Sequence, residues 1–407
     1  MKKPANFPSL KFSEFPEDWE KEKLGEMTVW KSGGTPSKKR DDFWGGDIPW
    51  ISASSMRKIE LSESELHVTE LGAKNGAKVA KVGSILILVR GSMLFNKIPV
   101  GYVTKKLTFN QDVKSVETNK NLHTMFLLYW FFHKENQLKN LVVGTGIGAG
   151  KLDMTDLLKL NLHYPSLPEQ QKIASFLSSV DERIELMERK KEKLEAYKKG
   201  VMQQIFSQQI RFKQDDGSAF PDWEEKRLED VVNQFLVPMR DKPKSLDGSI
   251  PWCRIEDFDG KYLSTSKTNQ GVSQSTVKEM RLKVFPVNTL IVSCSAYLGR
   301  CAIVKKELVT NQTFIGLVPN KAKVDVEFLY YIMSLSEQRL NTLSSGTTIS
   351  YLSREQFEKF PVILPELAEQ KKIAAFLNSI DENLEALNNQ IQGLRTWKKG
   401  LLQQMFV

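Results

Sequence analysis

The sequence predicts an α+β protein of two tandem globular domains with short strands and a few helices, separated by two long helices that form an antiparallel coiled coil in a pseudo-two-fold internal repeat. Three observations predict it: the length of the chain, a self-match at an offset near 200, and a 3.5-residue apolar period at the end of each copy. At 407 residues the chain exceeds the size at which one hydrophobic core keeps growing. With 41% hydrophobic and 26% charged residues it has a globular composition, which excludes a disordered or fibrous protein. The 58 Lys and Arg outnumber the 49 Asp and Glu for a formal +9, a surplus that favours a polyanionic partner.

The repeat sets the boundaries. Residues 165–206 and 365–406 are identical at 20 of 42 positions, from Pro165 and Pro365 to Phe206 and Phe406. Upstream, Phe126-Leu127 through Gly144-Thr145 matches Phe328-Leu329 through Gly346-Thr347, Asn110-Gln111 recurs as Asn311-Gln312, and Ile48-Pro-Trp50 recurs as Ile250-Pro-Trp252. Phe15-Pro through Trp19-Glu20 returns as Phe220-Pro through Trp223-Glu224. Between these markers the copies diverge, the pattern of one scaffold presenting two different binding surfaces. The division is therefore 1–165 and 209–365 for the globular domains, and 166–208 and 366–407 for the helices.

Each element has its own signal. Val82–Val89, Val287–Val292 and Phe314–Val318 read as short buried strands. Thr124–Leu138 and Val326–Leu340 have helical spacing. In the first tail, steps of four and three touch Ile173, Leu177, Val180, Ile184, Met187, Lys191, Leu194, Lys198, Val201 and Ile205. In the second they touch Ile373, Leu377, Ile380, Leu384, Leu387, Ile391, Leu394, Lys398, Leu401 and Met405. Apolar side chains fill eight of the first ten positions and nine of the second ten, a coiled-coil seam that cannot be buried by one helix alone. An antiparallel pairing of the two would place the globular domains at opposite ends of a spacer.

Several function classes fail on their motifs. Gly144-Thr-Gly-Ile-Gly-Ala-Gly-Lys151 is not a phosphate-binding P-loop, because Thr145 and Leu152 stand where glycine and Ser or Thr are needed, and Ala149 breaks a dinucleotide fingerprint. Asp222, Glu224 and Lys226 imitate a nuclease carboxylate motif, but Asp222 is too close in sequence to supply a separate metal ligand. His67, His123, His133 and His163 lack zinc-ligand spacing, and Cys253, Cys294 and Cys301 read as buried thiols. No catalytic constellation, no amino-methyltransferase tetrad and no metal site is expected. The longest apolar runs, Phe126–Phe132 and Ile85–Val89, fall far short of the roughly 20 residues of a membrane span. The basic start at Met1 lacks the apolar stretch of a secretory signal, so the expected location is cytoplasmic, without a membrane partner.

Double-stranded DNA is the polyanion these residues suit. Lys31 to Arg40 is a glycine-rich loop carrying Lys38, Lys39 and Arg40, with Arg240, Lys242 and Lys244 as its counterpart, fit for phosphate contact or simply a solvated turn. Arg57 and Lys58 follow the first Ile-Pro-Trp marker, and Arg254 follows the second. Arg90 and Arg300 follow the buried strands. Arginine can grip guanine in the major groove. Asn110-Gln111 and Asn311-Gln312 are amide pairs of the kind that read adenine, and equally of the kind that build turns. Trp50 and Trp252 read as core.

In their order, Gly33-Gly-Thr-Pro36, Trp44, Ile48-Pro-Trp50, Asn110-Gln111 and Glu169-Gln-Gln-Lys-Ile173 resemble the specificity (S) subunits of type I restriction-modification systems. In the second copy the resemblance rests on Ile250-Pro-Trp252, Ser295 to Arg300, Asn311-Gln312 and Glu369-Gln-Lys-Lys-Ile373; the Gly-Gly-Thr-Pro turn is missing there. The resemblance implies two target recognition domains, each reading half of a bipartite DNA site, on a subunit with no active site. It implies two methyltransferase subunits and restriction subunits as partners, with S-adenosylmethionine, ATP and Mg bound on those partners and no cofactor in this chain. A coiled-coil scaffold, or a DNA-binding regulator outside restriction-modification, is the alternative reading.

Overall fold

The computed structural model describes residues 8–146, 148–238, 242–295, 297–343 and 351–407. Arg240 and residues 344–350, among them Gly346-Thr347 of the repeat, lie outside the described residues. The chain divides into two compact units, one up to Lys190 together with Asn388–Val407, the other Lys191–Leu387.

The first unit is built on a five-stranded sheet of β1 (Thr28–Ser32), β2 (Glu60–Leu61), β3 (Ile85–Leu88), β4 (Val100–Val103) and β5 (Val113–Thr118), in the order β1-β5-β3-β4-β2. β3 is Ile-Leu-Ile-Leu and buried at every position, as a central strand covered on both faces must be. A second sheet places Trp44–Ile51 beside His67–Val68 and, in parallel, Leu107–Phe109. Trp50 is buried there and meets Trp44 edge to face at 5.3 Å, so the first Ile-Pro-Trp marker is core. Its indole Nε1 donates to the Gly34 carbonyl at 3.1 Å. A Cβ on Gly33 would sit 2.1 Å from the Asn110 carbonyl oxygen, and one on Gly34 2.1 Å from that of Gly76. Close backbone approach thus explains the Gly-Gly-Thr-Pro turn.

The second unit repeats the plan with β6 (Val232–Leu236), β7 (Tyr262–Leu263), β8 (Leu290–Ser293), β9 (Cys301–Val304) and β10 (Phe314–Pro319), ordered β6-β10-β8-β9-β7. Alternation along β8 separates two cores. Leu290 and Val292 join a cluster with Phe328, Leu329 and Ile373, while Ile291 joins Phe258, Phe285 and Phe314 on the other face. Trp252 packs in a third cluster with Val272 and Val309.

The helix expected over 124–138 is two helices, α1 (Thr124–His133) and α2 (Glu135–Asn140), with the break at Lys134. α3 (Leu167–Phe206) follows at the end of the first copy. In the second copy α4 (Val326–Leu335) and α5 (Glu337–Leu343) break likewise at Ser336, and α6 (Leu367–Met405) ends the repeat. The bend keeps Leu138 and Leu340 buried after each core helix has ended, a tertiary demand that a helical period does not encode.

Both long helices are divided between the units, in contrast to the separate spacer segments 166–208 and 366–407. The reason is burial: Val201, Met202 and Ile205 of α3, with Ile373, Leu377 and Ile380 of α6, are members of the second unit's own core, and Leu194 and Leu384 pack on it. Within the first unit, Asp181 pairs with Lys398 and Glu188 with Arg395, so numbers rise on one helix as they fall on the other and the pair is antiparallel. Within the second unit, Lys198 meets Asp381 in the equivalent arrangement. Of the expected seam, Ile173, Leu177, Val180, Ile184, Ile373, Leu377, Ile380, Leu387 and Ile391 are buried, while Met187, Leu194, Leu384 and Leu394 are half-buried. Each full leucine burial contributes about 2 kcal/mol.

Candidate nucleic-acid interface

The most repeated residues hold the frame. Gln170 accepts from the His123 backbone amide at 2.8 Å and donates to the carbonyls of Pro165 (2.8 Å) and Asn121 (3.0 Å). Gln370 repeats this with Asp325, Pro365 and Lys323. Glu169 and Glu369, both buried, accept from the indoles of Trp19 and Trp223, and Arg211 adds two bonds to Glu369. The Pro-x-x-x-Glu-Gln run therefore ties each long helix to its globular part and leaves nothing for a ligand. Next along the helix, the Tyr129 hydroxyl donates to Asp181 at 2.8 Å while Lys398 reaches the other carboxylate oxygen at 2.5 Å. Tyr331, Asp381 and Lys198 form the same clasp in the second unit.

With the frame accounted for, the candidate DNA contacts sort by geometry. Lys38 and Lys39 are exposed beside the Gly-Gly-Thr-Pro turn, whereas Arg40 is held by two bonds to Asp42 and lies 4.6 Å over the Phe43 ring. Arg57 and Lys58 are exposed and border a cleft of about 480 Å³. Arg90 is exposed on a short strand, Arg90–Gly91, paired with Gly150–Leu152. Lys242 and Lys244 are exposed. Arg254 is half-buried, paired with Glu256 at 3.1 Å and bonded to Gln270 at 3.2 Å. Arg300 is exposed but anchored on the Phe258 carbonyl at 2.8 Å. Asn110 is buried and its Oδ1 accepts from the Asp112 amide at 3.2 Å, and Asn311 accepts from the Thr313 hydroxyl at 2.6 Å, the local bonds of turn residues. Gln111 is exposed and accepts from the Thr35 hydroxyl at 2.5 Å; Gln312 is exposed.

Sequence reasoning missed the neighbours of these arginines. Lys151 pairs directly with Arg90 across the ladder, and the following 3-10 turn, Ser92–Phe95, exposes Met93 and Phe95. In the second unit the corresponding stretch bridges Ser295 to Tyr351 and exposes both Tyr351 and Tyr297. Tyr297 is 71% exposed and held at φ +57°, a left-handed conformation that a bulky residue rarely adopts. A cation beside an exposed aromatic offers phosphate contact and a stacking surface together. The signal was present in Lys151, which ends the failed P-loop pattern, but its pairing with Arg90 joins residues about 60 positions apart.

Nothing in the described residues competes as a reactive centre. Burial pushes the thiols of Cys253 and Cys301 up to about 12 and that of Cys294 to about 11, leaving them un-ionised near neutrality. Burial lowers the imidazoles of His123, His133 and His163. Among the described residues no cluster of His, Cys, Asp or Glu could hold a metal ion, and no helix is long and apolar enough to cross a membrane.

The fold and sequence place the chain among known proteins. The MjaIX specificity subunit of a type I restriction enzyme from Methanocaldococcus jannaschii is 25% identical over 423 residues, covering 98% of this chain and 95% of that one. The EcoR124I/EcoR124II specificity subunit of Escherichia coli is 31% identical over 174 residues, 42% of this chain and 43% of its own. Among solved structures, the S subunit of a type I restriction-modification system from M. genitalium shares the fold, with a TM-score of 0.63 and 17% identity over 98% of this chain and 99% of that chain. A chain from a study of complex assembly and conformational transition of the type I R-M system does so with a TM-score of 0.58 and 17% identity over 96% and 98%. The type I restriction modification DNA specificity domain matches twice, at residues 16–196 and 221–395, and the chain belongs to that family as a DNA sequence-specificity subunit.

Proposed function

We propose that each unit reads one half of a bipartite duplex site, and that the chain, without an active site of its own, directs adenine methylation or restriction by partner subunits. The observation that carries this reading is the contrast between a repeated frame and unrepeated exposed side chains at one place in it. Arg90, Lys151 and Phe95 occupy that place in the first unit; Tyr297 and Tyr351 occupy it in the second, with Arg300 next to them, its backbone amide donating to the Tyr297 carbonyl at 3.2 Å. Arginine supplies bidentate base contact and the aromatics supply stacking or wedge contact. Lys38, Lys39, Lys242 and Lys244 would add phosphate contacts, as would Arg240. The two clasped helix pairs offer two equivalent surfaces, which suits two copies of a methyltransferase subunit carrying S-adenosylmethionine, with ATP- and Mg-dependent restriction subunits joining them in the cytoplasm.

The test is domain exchange. Replacing residues 1–160 by those of a relative of different specificity, co-expressing the chimaera with the methyltransferase partner and sequencing the methylome should change one side of a split adenine-methylated motif and leave the other. A change on both sides, or on neither, would rule out one unit per half-site.

A further inference from the structure

We infer that the basic cleft of the first unit is a phosphate clamp, which grips the DNA backbone independently of base sequence and makes this unit the electrostatic anchor of the chain. The inference rests on the DNA-reading function above and adds the source of its affinity. The cleft, about 480 Å³, gathers Arg57 and Lys58 from the loop before β2, Lys97 after the 3-10 turn, Lys139 from α2, and Arg395, Lys398 and Lys399 from the last turns of α6. Its one carboxylate, Glu135, is engaged by the Ile98 backbone amide at 3.2 Å. Among the described residues Lys58, Lys97, Lys139 and Lys399 form no ion pair, and the Arg57–Glu65 contact is long, 3.7 Å, between two exposed side chains, whereas Arg395 and Lys398 are paired with Glu188 and Asp181. Like charges drawn into one concavity repel one another, so their convergence disfavours the fold unless an anion is bound.

The second copy serves as an internal control. The turn before β2 and the turn before β7 are equivalent at an offset of 202, as the alignment of Glu60–Leu61 with Tyr262–Leu263 shows, and the long helices align at 200. Arg57 and Lys58 are answered by Asp259 and Gly260, Lys139 by Asn341, Arg395 by Glu195, and Lys398 and Lys399 by other cations, Lys198 and Lys199. Six cations have become two, with two carboxylates. Lys261, answering Ile59, is turned inward onto Glu327, Tyr331 and Asn378. The same scaffold therefore folds without a basic cleft, and the frame does not require the charges. Long side chains arriving from four separate segments suit a run of phosphates better than one compact anion, which needs donors fixed in a single geometry.

The full-length chain would be titrated by fluorescence anisotropy with a target duplex and a random duplex over a range of salt concentrations. Lys58→Glu, Lys97→Glu and Lys399→Glu would be combined, with Lys278→Glu, Lys283→Glu and Lys306→Glu of the second unit as the matched charge change. The cleft variant should weaken both duplexes equally, by about tenfold or more at low salt, and reduce the slope of log affinity against log salt by about two to three. Near-wild-type helicity by circular dichroism should accompany the loss, and a Lys58→Gln, Lys97→Gln, Lys399→Gln variant should fall between. An unchanged slope, an equal loss in the matched variant, or weakened methyltransferase assembly with DNA binding intact would overturn the clamp alone. Stoichiometric binding of inorganic phosphate or ATP in the cleft, with duplex affinity unaffected by the triple change, would assign it to a small phosphorylated ligand instead. A wild-type chain, with or without its methyltransferase, that bound no duplex at any salt would remove the DNA-reading function and the clamp with it.

Discussion

Glu169 and Tyr297 show how far single residues depart from what their type suggests. Glu169 is buried against the Trp19 indole, and loss of hydration raises its carboxyl above the ordinary 4.5. A carboxyl raised in the folded state favours folding most fully below its unfolded value, and that contribution is lost as pH climbs through the folded one. The first unit should therefore lose melting temperature between about pH 4.5 and the raised value, and Glu169→Gln, which keeps an acceptor for Trp19, should flatten that decline. Scanning calorimetry across this range checks it; the same slope in both proteins would refute the assignment. Tyr297 stores strain of about 1 kcal/mol or more in its left-handed backbone while exposing its ring. Tyr297→Asn, which tolerates that conformation, should leave thermal stability equal or slightly higher and weaken target-duplex binding by about 1–3 kcal/mol. Competition binding decides, and unaltered affinity would show the ring to be idle. Neither residue could be ranked from sequence, because burial and backbone angle are set by residues distant in the chain.

At the scale of elements, the long helices carry the clearest message and also its main revision. The seam positions are legible because 3.5-residue spacing puts them on one stripe of an α-helix. Lys198 and Lys398 interrupt that stripe at the same step, and the structure explains them: each delivers its ammonium group to Asp381 or Asp181, which a buried tyrosine also holds. Because charge and hydroxyl meet on one carboxylate, Asp181→Asn should destabilise the first unit by about 2 kcal/mol, and Asp381→Asn the second by a similar amount. Chemical denaturation followed by tryptophan fluorescence measures both. A cost below about 0.5 kcal/mol for each would reduce the clasp to an ordinary surface pair. The core helices were legible as helices and illegible as broken ones. Helical period extends through Lys134 and Ser336, and the need to bury Leu138 and Leu340 after a bend is tertiary.

For the whole molecule, duplication with divergence is the organising fact. Both units keep one strand order, one central Ile-Pro-Trp strand and one Gln-to-backbone tie, while their cleft charges and exposed aromatics differ. From the amino-acid sequence by itself came the repeat, the α+β class and the paired seams. Each of these is written in local period or in identity at a constant offset. Tertiary structure alone decided that the long helices are divided between two cores, that Asn110 and Asn311 make the local bonds of turn residues, that Lys151 stands beside Arg90, and that seven cations from four segments share one cleft. The physical reason is that periodicity reports which face of an element is buried, whereas function here depends on which faces of distant elements are brought together, and that is settled by packing.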